Sequence, residues 1–471
     1  MTTHTSSTET IASVRSFTWK DKVGYLFGDL GNDFIFILAS SYLLIFYTNV
    51  LGLNPAHVGT LFLVMRLVDA FTDVGWGRFL DRHTPSRAGR FRPWILRAAI
   101  PLAVVSALLY SPFAADWDYP AKMIWAAVTY VLWGTVFYTM VNISYGSLAS
   151  VMSQDPGQRA SLSVFRGVGA NLAGIFVALV PPLFLYATVD GVSQVLPSAF
   201  FTIGIVFSAL ALVFYVLCYS LVRERVRSIP NVDKPSFGRL LASLAGNRAL
   251  LSLMSANLVL ILSSLLTGSV GAYLWLIYFN NGALSGVAGL ANALPALIAA
   301  PFISRLGRRF GKKELLVVLL FGSSTLYFVL FFVGVTSPWV FIAISVIAGF
   351  GIGSFNLLVW AIISDVIDFQ EVRTGQRDDG TVYAVNTWAR KVGLGLAGGL
   401  GGYALAFIGF QAGAAVQSPG TIQGIYTVAT LVPGVLYAVV ALILLFWYPL
   451  GRRAVEGNSE ELESRRVAVV S

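Results

Sequence analysis

The chain has 471 residues and a formal net charge of +9, with 56% hydrophobic but only 12% charged residues. Soluble domains run at roughly 45–50% apolar and about 25% charged, so this balance excludes an ordinary soluble enzyme, and an aromatic content of 13% excludes a disordered chain. A single cysteine, Cys218, excludes a disulfide scaffold and any cysteine-built metal site.

Residues 1–20 are polar and Ser/Thr-rich, without the basic start and short apolar core of a secretory signal. They read as a poorly ordered cytoplasmic tail, with residues 451–471 as its counterpart. Between the tails, long apolar runs predict twelve spans, at 23–50, 58–80, 94–113, 122–151, 163–188, 198–222, 247–279, 283–304, 314–334, 338–364, 382–409 and 422–449. Runs of this length exclude a β-barrel, whose strands alternate over about ten residues. The only long polar interruption, 223–246, divides the chain into two bundles of six helices, 21–222 and 247–450. The expected fold class is an all-α membrane protein with two pseudo-symmetric halves.

Charge placement gives the orientation. Apart from Lys122 and four residues within spans (Arg66, Arg166, Arg390 and Lys391), all 32 basic residues lie in the tails, in alternate loops or at the adjoining span ends. The positive-inside rule then predicts cytoplasmic termini and a multi-pass protein of the cell (inner) membrane. Topology accounts for the positive charge, so no nucleic-acid partner is expected. The 2–3 loop, Gly77 to Arg90, and the 8–9 loop, Arg305 to Lys313, are both short, basic and glycine-containing. Such turns serve either as gates or as lipid-headgroup anchors.

A charge inside a span costs roughly 2.5–3.5 kcal/mol on insertion scales, which makes each one a functional candidate. Span 1 holds Asp29 and Asp33, four apart and on one helix face. Span 2 holds Arg66, Asp69 and Asp73, again on one face. One arginine beside two carboxylates leaves a net negative site. A cation or a proton entering it relieves carboxylate repulsion, which is the chemistry of cation coupling; the alternative is an ion-pair network that only fixes packing. Tyr138, Thr139 and Asn142 in span 4 either complete such a shell or bond neighbouring helices. Arg166 in span 5 either snorkels or meets substrate. Lys391 lies deep in span 11, with Thr387 one turn earlier. Asn356 and Trp360 form an i, i+4 pair in span 10. An aromatic ring, amides, hydroxyls and a charged group suit a sugar, whose CH faces stack and whose hydroxyls need partners.

Three stretches carry a family resemblance: Lys22 to Phe34, Val58 to Asp73, and Ser364 to Arg377. With Tyr47 to Leu53 and Arg87 to Trp94, they resemble the glycoside–pentoside–hexuronide:cation symporters, the melibiose-carrier-like branch of the major facilitator superfamily. The resemblance runs over nearly all of residues 20–450. It implies the major facilitator fold and a sugar:cation symporter working by alternating access, coupled to Na⁺ or H⁺. It implies cation-binding residues Asp69, Asp73 and Thr139, with Asn142 beside them; Asp69 and Asp73 become metal ligands if the ion is Na⁺. It implies sugar contact by Asp33, Arg166, Lys391 and Thr387, in the region that also holds Arg66, Tyr138, Asn142, Asn356 and Trp360. It implies a cytoplasmic gate at Asp365, Asp368, Glu371, Arg373 and Arg377, opposite the 2–3 loop with Asp81 and Arg82.

The chain departs from melibiose carriers at four points. Asn32 stands where they have a lysine, Asn142 where they have an acid, and Gly146 and Asn356 where they have tryptophans. Melibiose is therefore not the expected cargo. A different glycoside, a pentoside or an anionic uronate is, the last favoured by Arg166 and Lys391. The rival readings are a lipid or lysolipid carrier and an organic-acid or drug exporter of the same superfamily.

Gly349-Phe-Gly351-Ile-Gly353 resembles a phosphate loop but lies inside an apolar span with no preceding strand, so close helix packing is the expectation. Glycines 393–402 suggest a second thin helix face. The histidines, His4, His57 and His83, fall in tails or loops. No catalytic set is visible, and neither enzymatic activity nor a cofactor is expected. The expected partners are a small sugar, a monovalent cation and the lipid bilayer, for a monomeric protein.

Overall fold

The computed structural model describes residues 15–84, 86, 88–153, 155–225, 247–374, 393, 399–414 and 416–470. The first half consists of α1 (Trp19–Asn49), α2 (Pro55–Arg82), α3 (Arg92–Leu108), α4 (Tyr119–Met152), α5 (Pro156–Leu185) and α6 (Pro197–Leu221). The second half consists of α7 (Arg248–Tyr278), α8 (Leu284–Phe310), α9 (Lys312–Val333), α10 (Pro338–Thr374), α11 (399–407) and α12 (Pro419–Trp447), followed by α13 (Arg452–Val470). Among the described residues, nine helices are long and apolar enough to cross a membrane. α3 has only 17 residues, and α2 is diluted by the charges at its centre. Most of expected span 11 and of the central loop lies outside the described residues.

Local chemistry sets the helix starts. Asn54, Asp155, Asn247 and Ser418 each accept a hydrogen bond from a backbone N–H one turn in, and Pro55, Pro156 and Pro419 occupy first helical positions. A short oxygen-bearing side chain satisfies an orphan donor there, and a proline has no N–H to leave unpaired. Gly311, at φ +92°, breaks the chain between α8 and α9.

Three expectations need correction. Span 5 was expected to run to residue 188, but α5 stops at Leu185 and a hairpin follows, β1 (Tyr186–Val189) paired with β2 (Val192–Val195). Asp190 and Gly191, both at positive φ, make the tight turn that such a hairpin demands. Residues 365–374, expected as loop, extend α10 as helix. The C-terminal tail, expected to be disordered, forms α13. Its Arg452 backbone N–H donates to Glu314 Oε1 at 3.0 Å, and Arg465 Nη2 donates to the Val372 carbonyl at 3.1 Å.

The expected glycine faces are real packing surfaces. A Cβ on Gly349 would lie 2.8 Å from Pro295 Cγ, one on Gly351 2.8 Å from the Leu319 carbonyl, and one on Gly353 3.0 Å from Ala296 Cα. α10 thus seats on α8 and α9 through bare backbone.

The halves meet chiefly through α5 against α8 and α1 against α7. Their hydrogen bonds, among the described residues, all lie at the end opposite the termini. Thr48 and Tyr273 hydroxyls are 2.6 Å apart, Thr60 and Tyr403 hydroxyls 2.9 Å, and Gly413 N–H donates to the Thr48 carbonyl. The hairpin is clipped to the other half by Asn280, whose Nδ2 donates to the Gly191 carbonyl at 2.7 Å and whose Oδ1 accepts from Ser193 N–H at 2.6 Å. Gly59 and Gly399 bring α2 and α11 into backbone contact, since a Cβ on either would lie 2.7 Å from the other's carbonyl oxygen. The structure is therefore closed at this end.

Gly59→Val should wedge α2 from α11 and open the closed end. A cysteine placed at Ser41 should then react with a membrane-impermeant maleimide several-fold faster than in the parent. The native Cys218, fully buried, remains silent.

Candidate functional site

The two carboxylates of α2 face α4, at a place where α4 is not an ordinary α-helix. Residues Val131–Tyr138 form a π-helical stretch, a feature often found at functional sites. Thr135 Oγ1 donates to Asp69 Oδ1 at 2.6 Å, and Thr139 Oγ1 donates to Asp73 Oδ1 at 3.1 Å. Both partners on each helix are four residues apart, so the contacts form two successive rungs. Thr139 Oγ1 also lies 3.3 Å from the Gly134 carbonyl. Arg66 Nη1 approaches Asp69 Oδ2 at 3.8 Å, and the guanidinium sits 5.0 Å above the Phe36 ring. Arg66 closes a small cavity of about 50 Å³ with Phe36, Tyr130 and Trp133.

Thr135 was missed in the sequence reading. The signal for it was the four-residue spacing: Thr135 stands to Thr139 as Asp69 stands to Asp73.

A second polar group joins α1 and α5. Arg166 Nε donates to Asp29 Oδ1 at 3.0 Å, and its guanidinium lies 5.6 Å from the Tyr145 ring, whose hydroxyl donates to the Tyr25 carbonyl. Asp29 is 4% exposed, so it is a structural anchor for Arg166, a role the sequence did not distinguish from that of Asp33. Asp33, one turn further, is half-buried and makes no hydrogen bond or ion pair with a described residue. Asn32 turns away and accepts from Tyr215 Oη at 2.8 Å. Tyr138 stacks on both Phe36 and Trp133. Asn142, one turn beyond Tyr138, is half-buried.

Between the halves lies a cavity of about 440 Å³, lined in part by Ser41, Gly174, Thr267, Gly268, Asn292 and Asn356. Asn356 is thus on its wall, whereas Trp360, 46% exposed, lies outside the lining. Among the described residues, no group of three or more His, Cys, Asp or Glu side chains is placed to hold a metal ion. A Na⁺ ion at the two rungs would need the threonine hydroxyls and carbonyl oxygens alongside Asp69 and Asp73, an oxygen set that suits a hard cation.

At the end bearing the termini, Lys312 Nζ donates to both oxygens of Asp365, at 2.7 and 2.8 Å, joining α9 to α10 within one half. Asp368 and Glu371 follow on α10, and Arg373 sits 5.5 Å over the Phe369 ring. Arg82 is exposed at the last turn of α2. The Asp81 side chain, Thr387, Lys391 and Arg377 lie outside the described residues.

The Arg166–Asp29 pair generates a stability prediction. Arg166→Ala strands a buried carboxylate and should lower the melting temperature in detergent by several degrees. Asp29→Asn added to it should recover more than half of that loss, as a double-mutant cycle by thermal denaturation would measure. Recovery of none would deny the pairing.

The chain matches the family model described as MFS/sugar transport protein over residues 24–452. It is 32% identical to the glucuronide carrier protein homolog of Escherichia coli, over 96% of this chain and 97% of the relative. It is also 32% identical, over 98% of its length and 100% of the relative, to a Salmonella typhimurium protein proposed as a 2,3-dihydroxypropane-1-sulfonate exporter. Its fold is similar to the crystal structure of a bacterial homologue of the iron transporter ferroportin in an inward-facing state, with a TM-score of 0.63 at 14% identity, covering 93% of this chain and 100% of that one. The chain belongs to the MFS/sugar transport protein family, in the glycoside–pentoside–hexuronide:cation symporter branch of the major facilitator superfamily that its motifs resemble.

Proposed function

We propose that this protein is a secondary active transporter that moves an anionic sugar, a uronate or its glycoside, together with Na⁺ or H⁺ by alternating access. The observation that carries the reading is the pair of carboxylate–threonine rungs between α2 and α4. Two carboxylates in an apolar surround repel when both are ionised, and an ion or proton between them relieves this. Arg166, held by Asp29, supplies a fixed guanidinium for the sugar's carboxylate. Asp33, one turn away and free of described partners, accepts from sugar hydroxyls. The glucuronide carrier homologue supports an anionic sugar as cargo.

With both termini cytoplasmic, the closed end faces outward and the conformation is inward-facing. Sugar and cation then bind cooperatively, each raising the other's affinity by the same factor. The protein works as a monomer in the inner membrane. The relative proposed as a sulfonate exporter favours a second reading, in which the same arginine site releases an organic acid outward; the direction of gradient-driven flux in oriented vesicles separates the two.

Asp73→Asn should abolish gradient-driven accumulation in proteoliposomes while leaving sugar binding measurable by calorimetry. Thr135→Ala removes a hydrogen bond to a charged group, worth about 1.5–3 kcal/mol. It should weaken cation activation of transport by about tenfold or more. Normal accumulation by Asp73→Asn would refute the coupling role.

A further inference from the structure

The cavity between the halves is built to be kept open. Helical glycine costs about 1 kcal/mol relative to alanine and persists where something needs the space. Most glycines near the interface have an evident reason. A Cβ on Gly286 or Gly289 would press on Ala178, and one on Gly349 or Gly353 on α8. Gly174, Gly268 and Gly271 have none of these reasons. All three lie within helices and line the cavity, and a Cβ on any of them would meet nothing within 4 Å. They face one another from two different halves of the molecule, α5 on one side and α7 on the other. No neighbouring helix in this structure occupies the room they leave.

The rest of the wall has a definite chemistry. Its described residues include no charged side chain. Hydroxyl and amide groups of Ser41, Ser264, Thr267, Asn292, Ser345 and Asn356 alternate with the rings of Trp275, Phe341 and Tyr327. Thr267 Oγ1 is buried without a hydrogen-bond partner. Ser345, 6% exposed, also lacks one of standard geometry, although the Tyr327 hydroxyl lies beside it. Buried hydroxyls without partners are costly, and a ligand that bonds them removes the cost. The cavity volume, about 440 Å³, falls within the range of roughly 300–1,000 Å³ typical of organic-ligand sites.

Position links this space to the sugar site. Ile37 on the cavity wall is one turn beyond Asp33 on α1, and Ser41 is a turn further. Gly174 is two turns beyond Arg166 on α5. A ring held at Asp33 and Arg166 therefore has the cavity next to it, toward the closed end.

We infer that this cavity is a subsite for a neutral extension of the substrate, a second sugar ring or an aglycone, so that the cargo is a glycoside with its charged ring at Arg166 and its uncharged part among Gly174, Gly268 and Gly271. The inference rests on the anionic-sugar reading above. It divides recognition between the halves: the first half reads charge, and the second reads the extension.

The test uses full-length protein in proteoliposomes and compares uptake of glucuronate, methyl glucuronide and phenyl glucuronide. The parent should take phenyl glucuronide with a KM about tenfold or more below that of free glucuronate. Gly268→Leu and Gly174→Leu fill the space from opposite walls without meeting protein atoms. Each should erase that advantage while leaving the glucuronate KM within twofold, which also shows that the variant is folded. Gly268→Ala should fall between. Equal KM values for the free and extended sugars in the parent, or equal loss of both in the leucine variants, would overturn the subsite while leaving the sugar-transport reading standing. Failure of the parent to take up any of the three would overturn that reading and the subsite with it.

Discussion

The arrangement of the first half depends on one constraint: a carboxylate inside a membrane must be matched by a donor held in place. Asp69 and Asp73 lie in the middle of α2, far from either end. Their partners come from α4, and the two threonines can meet two acids only if the helices run side by side in register. The π-helical stretch at Val131–Tyr138 lies across that contact and sets the phase of the donors. Asp29 imposes the same requirement on α1 and α5 through Arg166. The packing of four helices is thus tied to three acids, and Asp33 remains as the acid not used up by the fold.

Closure at one end uses different physics. It relies on bare backbone at Gly59 and Gly399, on paired hydroxyls, and on a hairpin clipped by Asn280. Each of these contacts is neutral and individually modest, at about 0.5–1.5 kcal/mol per hydrogen bond. Such an interface holds a state without trapping it, which suits two halves that must part and rejoin. The charged contacts at the other end stay within a half: Lys312 with Asp365, Arg225 with Asp21, and the Glu224 carboxylate with three backbone N–H groups at the start of α3. Strong bonds keep each half rigid, and weaker ones span the seam.

The C-terminal helix α13 extends that logic. It touches the ends of α8, α9 and α10 through Arg452 and Arg465 and buries Leu462 against them. It ties together the helix ends of the second half beside the acidic last turns of α10. Its sequence is polar and carries Glu–Arg pairs at helical spacing, so the helix was legible there. Its docking was not, because the contacts are single hydrogen bonds to backbone carbonyls.

The sequence by itself determined the class, the order of the spans and the acids that matter. Apolar length and charge scarcity are one-dimensional properties, and a buried acid is costly wherever its helix goes. Helix periodicity placed Asp69 and Asp73 on one face, and motif likeness named the family. Only the tertiary structure decided which acid is spent and which is free. Asp29 and Asp33 share a helix face, yet one is held by Arg166 and the other is not, because that depends on where α5 lies. It also decided that Asn32 points to α6 and that Thr135 completes a rung. Finally, it separated glycines that admit a neighbouring helix from glycines that admit nothing in the fold. That distinction is a property of the space across from a residue, which no local pattern records.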